Sequence, residues 1–225
     1  MIKKYYIYFL ILVNSIISTE IYNYKISFWG LVIADCQYSI KDTIIYNKES
    51  IKLNYMVKTN KLYDLFFKVS NNYSVVFDKS NYRTLYYTKR SSQPKIYNKI
   101  KTEYINDIVK YSDSLIIDLN EINIFTLLYL QSNYKNKEIE KYDIIDSEGK
   151  KYNYNLNKVN ENEFILNLNA VEKNKYGAIK DTDIFTWALS LPNTESYFYI
   201  NKQNNVIDYC EFSKGFLKLK GKRIK

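Results

Sequence analysis

The chain has 225 residues, with 33 Lys plus Arg against 24 Asp plus Glu, no His, 2 Cys, 5 Gly and 25 Tyr, and a formal net charge of +9. Without histidine, Ser-His and Cys-His catalysis and imidazole-built zinc or iron sites are excluded, and five dispersed glycines leave no phosphate-cradling loop. A hydrophobic fraction of 46% with a mean hydropathy of −0.39 fits one packed domain and not a bundle of membrane helices.

Met1 to Lys4 gives a short positive start, Tyr5 to Ile17 an apolar run broken only by Asn14 and Ser15, and Ser18 a small residue before polar Thr19 and Glu20. That order predicts a secretory signal over residues 1–18 and a periplasmic or extracellular location, since a permanent span needs about 20 apolar residues. The mature part, 19–225, is read as a single β-rich domain ending in a basic tail, 213–225. Removing the two leader lysines and the six basic residues of that tail leaves +1 on the body, so the charge does not form the spread-out basic stripe of a nucleic-acid binder.

Alternation in twos, rich in aromatic and β-branched residues, predicts strands over most of the body. They run over Tyr22 to Trp29, then after Gly30 over Leu31 to Ile40, and over Ser50 to Lys58, Tyr73 to Phe77, Tyr82 to Thr88 and Leu115 to Leu119. Residues 120–134 place Ile124, Leu127 and Leu128 near helical spacing, with Asn120 as the expected N-cap, and predict one short helix packed on the sheet. Lys61 to Phe67 fits either a helical turn or a strand. Further strands are predicted over Glu140 to Ile145, Tyr152 to Leu156, Glu163 to Asn169, Ile184 to Leu189, Ser196 to Ile200 and Val206 to Leu219, with hairpin turns at 146–149 and 202–205. The expected fold is therefore mainly β: an antiparallel curved sheet or partly closed barrel with one short helix.

Candidate chemistry is sparse. Cys36 and Cys210, near the two ends of the mature chain, have two readings: a disulfide worth about 4 kcal/mol on the chain-entropy model, or two small buried apolar side chains. Ser92 with Lys95 and Ser147 with Lys150 have serine-lysine spacing but fall in loop or turn sequence, and the acid pairs Asp113 with Asp118, Asp143 with Asp146 and Asp181 with Asp183 have no distinguishing context. No catalytic, metal or cofactor site is predicted. The basic residues Lys214, Lys218, Lys220, Lys222, Arg223 and Lys225 fit either a charged final strand or a contact with an anionic membrane surface. The tyrosine excess has two sources as well, AT-rich codons or stacking platforms.

Three stretches, YKISFWGLVIADCQYSI (Tyr24 to Ile40), VSNNYSVVFDKSNYRTLYYTKR (Val69 to Arg90) and FTWALSLPNTESYFYINKQNNVIDYCEFSKGFLKLKG (Phe185 to Gly221), together with IFTLLYL (Ile124 to Leu130), resemble a family of exported bacterial proteins, the domain of unknown function numbered thirty-one-zero-eight. The resemblance spans nearly all of the mature chain and departs from the family pattern at Ala34-Asp35 and at Gln93 to Ile96. It implies an extracytoplasmic curved sheet enclosing an apolar surface, and carries over no catalytic residue. Three functions follow as expectations: a non-enzymatic carrier for a lipid-like ligand or envelope component, a structural envelope module that binds a protein partner, and a carbohydrate-active enzyme.

Overall fold

The computed structural model describes residues 19–112, 114–171, 177–191, 194–214 and 217–224. The expected signal segment 1–18, Asp113 and Lys225 lie outside the described residues.

Strands β1 (Thr19–Phe28), β2 (Leu31–Ile45), β3 (Lys48–Thr59), β4 (Ser70–Asp78), β5 (Thr84–Gln93) and β6 (Ile96–Lys101) form a continuous meander. The short strands β7 (Glu103–Ile105), β8 (Ile108–Ser112) and β9 (Leu115–Ile117) make a small separate sheet. Next come β10 (Glu121–Asn123), α1 (Ile124–Ser132), α2 (Asn136–Ile139), β11 (Ile144–Ser147), β12 (Lys150–Lys158) and β13 (Glu163–Ala170). The chain closes with α3 (Ile184–Leu189), β14 (Glu195–Asn201), β15 (Val206–Lys214) and β16 (Leu217–Ile224).

One 13-stranded sheet runs in the order β10-β11-β12-β13-β14-β15-β16-β1-β2-β3-β4-β5-β6, antiparallel throughout except for the parallel pair β10 and β11. The expected mainly β architecture with a large curved sheet is what the chain adopts. The first and last strands pair in the middle of it, with Tyr24 opposite Arg223 and Ile26 opposite Gly221. Period two sorts the side chains: Tyr24, Ile26, Ala34, Cys36, Tyr38, Phe164, Leu166 and Phe198 turn into the core, while Lys25 and Asp35 pair outside at 2.5 Å.

Helix α1 lies against the concave face. Its residues Ile124, Phe125, Leu127, Leu128 and Leu130 are all buried, and Thr126 and Ser132 with them, so most of its surface is covered by other elements. Phe125 packs its ring against Tyr55 (4.8 Å between centroids) and Tyr73 (5.8 Å). The N-cap is Asn123, not the expected Asn120: its side chain accepts from the Phe125 N–H at 3.0 Å.

Three further expectations are corrected. There are three short helices among the described residues instead of one. Residues 184–189, read as a strand, form α3, because the Asp183 carboxylate accepts from the Phe185 and Thr186 N–H groups and nucleates a turn. The basic stretch 213–225 is no appendage: its described part supplies the end of β15 and all of β16, an interior strand hydrogen-bonded on both sides. The ambiguous segment 61–67 is a 3-10 turn at Tyr63–Leu65. Among the described residues no helix is long and apolar enough to cross a membrane.

Candidate functional site: an apolar cavity under two helices

The concave face of the sheet and the two helices α1 and α3 do not fill the space between them. A cavity of about 80 Å³ remains, walled by Tyr24, Ile26, Cys36, Tyr38 and Tyr55 from β1 to β3, by Phe198, Ile207, Cys210 and Phe212 from β14 and β15, and by Phe125, Leu128, Phe185 and Leu189 from the helices. Local sequence explains the wall: each strand presents alternate residues inward, and at these positions they are aromatic, aliphatic or thiol. Gly221 of β16 also lines the cavity. A Cβ there would lie 2.8 Å from the Cys210 sulfur, so the missing side chain is what lets the thiol lie over the strand.

The lining is electrically neutral. Burial pushes the Cys36 thiol up to about 12, with the Cys210 thiol adding to the effect, and burial likewise raises Cys210 to about 12. Burial also drives the Tyr24, Tyr38 and Tyr55 phenols above their ordinary value. Tyr24 satisfies its hydroxyl by donating to the Ile207 carbonyl at 2.8 Å. Neither thiol is a reactive thiolate near neutral pH, and no lining group is a charged acid or base there.

Cys36 and Cys210, for which a bridge was one of two readings, are free thiols that face this same cavity. The reason is topological. Strands β16 and β1 lie between β15 and β2, three inter-strand steps or about 14 Å along the sheet, whereas bridged cysteines have Cα atoms about 4.4 to 6.8 Å apart.

Tyr129 also lines a second, polar recess, with Glu20, Asp42, Asn133, Asn204 and Asn205. Asp42 is held by Lys79 at 2.8 Å. An apolar cavity and a polar recess thus share one tyrosine wall.

Behind the cavity lies a buried ionic network that sequence reasoning missed. Lys89 of β5 is wholly enclosed and meets Glu148 and Asp183 at 2.5 Å each, while donating to Thr182 Oγ1 (3.1 Å) and Thr186 Oγ1 (3.0 Å). Asp183 further accepts from Tyr73 Oη at 2.5 Å and Asn71 Nδ2 at 3.0 Å. Burial opposes ionisation of Asp183, but the Lys89 charge and the hydrogen bonds from Lys89, Thr186 and Tyr73 outweigh it and hold the carboxyl below its ordinary value. A second network joins Lys151 to Glu121 and, at 3.4 Å, to Asp146, which also accepts from Tyr111 Oη at 2.5 Å. There burial wins: the Asp146 carboxyl is pushed up to about 6 in spite of Lys151 and Tyr111.

The remaining sequence candidates are scattered. Ser92 lies in β5 and Lys95 in the β5–β6 turn, and Ser147 and Lys150 flank the β11–β12 turn, so neither pair is on a helix. Asp143 is exposed while Asp146 is buried, and Asp181 is exposed while Asp183 is buried. Of the basic residues, Lys218 and Lys220 both pair with Glu211 (2.6 and 3.4 Å) and Arg223 pairs with Asp208; Lys222 is exposed, and Lys214 ends β15. They are spread along a sheet wall and not gathered at a frayed end. An inward lysine was legible in principle, since Leu85, Tyr87, Lys89 and Ser91 share one face of β5.

The chain matches no family model and no curated protein. Among solved structures it is similar to the crystal structure of a β-barrel-like protein of the domain of unknown function DUF1849 from Brucella abortus, with a TM-score of 0.46 and 7% identity over 92% of this chain and 95% of that one.

Proposed function

We propose that this protein is an exported, non-enzymatic carrier that binds a lipid-like amphiphile through one slender aliphatic chain. The observation that supports it is the unfilled, uncharged cavity between the sheet and helices α1 and α3. Apolar groups leave water for such a space without having to displace an ion pair. Its 80 Å³ is smaller than the cavity of about 150 Å³ that admits benzene in an engineered core, which favours a chain end over a ring system. The polar recess behind Tyr129 gives the head of the molecule a hydrogen-bonding exit. The extracytoplasmic location and kinship to the thirty-one-zero-eight family belong to the same reading, carried by the leader 1–18 and the stretches quoted above.

Titration with a linear polyene fatty acid and the corresponding alcohol, followed by fluorescence, tests this directly, together with mass spectrometry of an organic extract of the purified protein. Saturable one-to-one binding is expected. Leu128→Trp, which fills the cavity from α1, should weaken it by at least about tenfold while the chain stays folded by circular dichroism. No polyene binding and no co-purifying amphiphile would overturn the reading.

A further inference from the structure

Large apolar side chains are also left outside the fold, and several of them gather at one end of the sheet. The β1–β2 hairpin turns through Trp29 and Gly30, both with positive φ (48° and 82°). Two such residues make the tight turn whose twist suits a two-residue hairpin, where Asn-Gly is the usual choice. A bulky residue in that conformation is an outlier that needs a reason. The Trp29 ring stacks on Phe28 at 4.9 Å and remains 63% exposed, and Leu31 beside it is 61% exposed.

The segment between β3 and β4 meets this hairpin. Asn60 donates its backbone N–H to the Ile33 carbonyl (3.1 Å) and its side-chain amide to the Val32 carbonyl (2.8 Å). The 3-10 turn that follows directs Leu62, Leu65 and Phe66 outward, at 67%, 80% and 82% exposure. Two neighbouring loop tips therefore present Trp, Leu and Phe to the outside from the same rim.

Charge decides what such a rim fits. Lys61 and Lys68 bracket the apolar segment, Lys58 is the last residue but one of β3 next to it, and Lys95 lies in the β5–β6 turn at the same end of the sheet. All four are exposed and make no ion pair among the described residues. The one acid within the segment, Asp64, accepts from the Thr59 hydroxyl. Protein–protein interfaces are enriched in aromatic residues but depleted in lysine. Separate protruding tips carrying Trp, Phe and Leu beside unpaired lysines instead match the boundary of a bilayer with anionic headgroups, where the rings enter the acyl edge and the ammonium groups stay among the phosphates.

We propose that the rim formed by Trp29–Leu31 and Leu62–Phe66 inserts into the surface of an anionic lipid bilayer, with Lys58, Lys61, Lys68 and Lys95 contacting the headgroups. This differs from the charged-strand contact expected from 213–225: it uses unpaired lysines and apolar tips, where Lys218, Lys220 and Arg223 of β16 are already engaged by acids. It also stands apart from the cavity reading, since either can fail alone.

The test uses the full chain carrying Trp187→Phe, which leaves Trp29 as the sole tryptophan. Vesicles of phosphatidylcholine, with or without about a third phosphatidylglycerol, are added and Trp29 emission is read, with brominated acyl chains as quenchers. A blue shift and quenching are expected on the anionic vesicles, with weaker binding to the neutral ones and at high salt. Because about 1 kcal/mol per lysine near the surface is about fivefold in affinity, Lys61→Glu with Lys68→Glu should weaken binding by at least about tenfold. Leu65→Asp with Phe66→Asp should abolish the quenching, and as exposed tip substitutions they should leave the thermal midpoint unchanged. The apolar run at 5–17 is common to every variant, so binding that persists in both double variants would place it elsewhere and overturn the proposal. So would an unchanged Trp29 emission, or a shift that follows protein concentration in the absence of lipid, which would show a second copy covering the rim.

Discussion

The apolar cavity and the Lys89 network are separated by one layer of rings and hold their contents by opposite means. Phe185 lines the cavity, and its ring lies 5.3 Å from Tyr73, whose hydroxyl donates to Asp183. On one side every lining group is neutral and room is left over. On the other, Lys89 has partners for all its protons and Asp183 accepts five further hydrogen bonds from four neighbours, so no valence remains for a ligand. The comparison teaches where to look for binding. A saturated ionic cluster is a fastener, and this one fastens something specific: Asp183 caps α3, and α3 supplies Phe185 and Leu189 to the cavity wall. The charged region thus sets the geometry of the uncharged one.

The largest expected effect breaks the fastener. Lys89→Met leaves two carboxylates buried without their cation, and removing one partner of a buried pair is destabilising by about 3 to 5 kcal/mol. Urea unfolding should show that loss, and polyene binding should fall with it as α3 loses its anchor. Adding Asp183→Asn and Glu148→Gln removes the orphaned charges and should recover part of the stability. A single variant as stable as the parent would show that the network is not what holds α3.

The two buried aspartates give a middle-sized test because their shifts are opposite. Asp183 is held below its ordinary value, so its contribution is present above that value and is lost only as pH falls through the lowered one. Asp146 is raised from 3.8 to about 6, so between those limits the folded state binds the extra proton. Stability from Asp146 therefore falls as pH rises from about 4 to about 6 and is flat above, a change of about 2 to 3 kcal/mol. Asp146→Asn removes this slope. Urea midpoints at pH 4, 5, 6 and 7 for parent and variant should diverge across that window, and parallel profiles would contradict the assignment.

Much of this fold was legible in period two, because a sheet buried on one face writes its alternation into every strand. The 146–149 turn was equally plain: Glu148 and Gly149 both take positive φ. What escaped was set by residues distant in sequence. IFTWAL at 184–189 reads as a strand until its cap is counted, and that cap is held by Lys89 from the far half of the chain. The basic stretch looked like a tail because Lys218, Lys220 and Lys222 occupy its outer face, while Leu219 and Gly221, inward on the same strand, pack quietly. An enclosed apolar surface was expected only from the resemblance, and no residue pattern located the cavity, since its lining residues are those of an ordinary core and an unfilled volume appears only when they are placed.

The smallest effect sharpens the contrast between the two regions. In a saturated network any added atom meets a partner that cannot move, but beside a cavity the same intrusion has somewhere to go. Gly221→Ala puts a methyl group 2.8 Å from the Cys210 sulfur, the free end of a short side chain that borders open space. Rotation of the thiol into the cavity relieves the contact, and the substitution itself stiffens the unfolded chain by about 0.4 to 1 kcal/mol. The two should nearly cancel, leaving stability within about 1 kcal/mol of the parent. The displaced thiol then occupies room that a bound chain would use, so polyene affinity should drop severalfold with an unchanged urea midpoint. If instead the variant unfolds early, the region around Gly221 is as tightly set as the network, and the cavity is not the soft, accommodating space that a carrier requires.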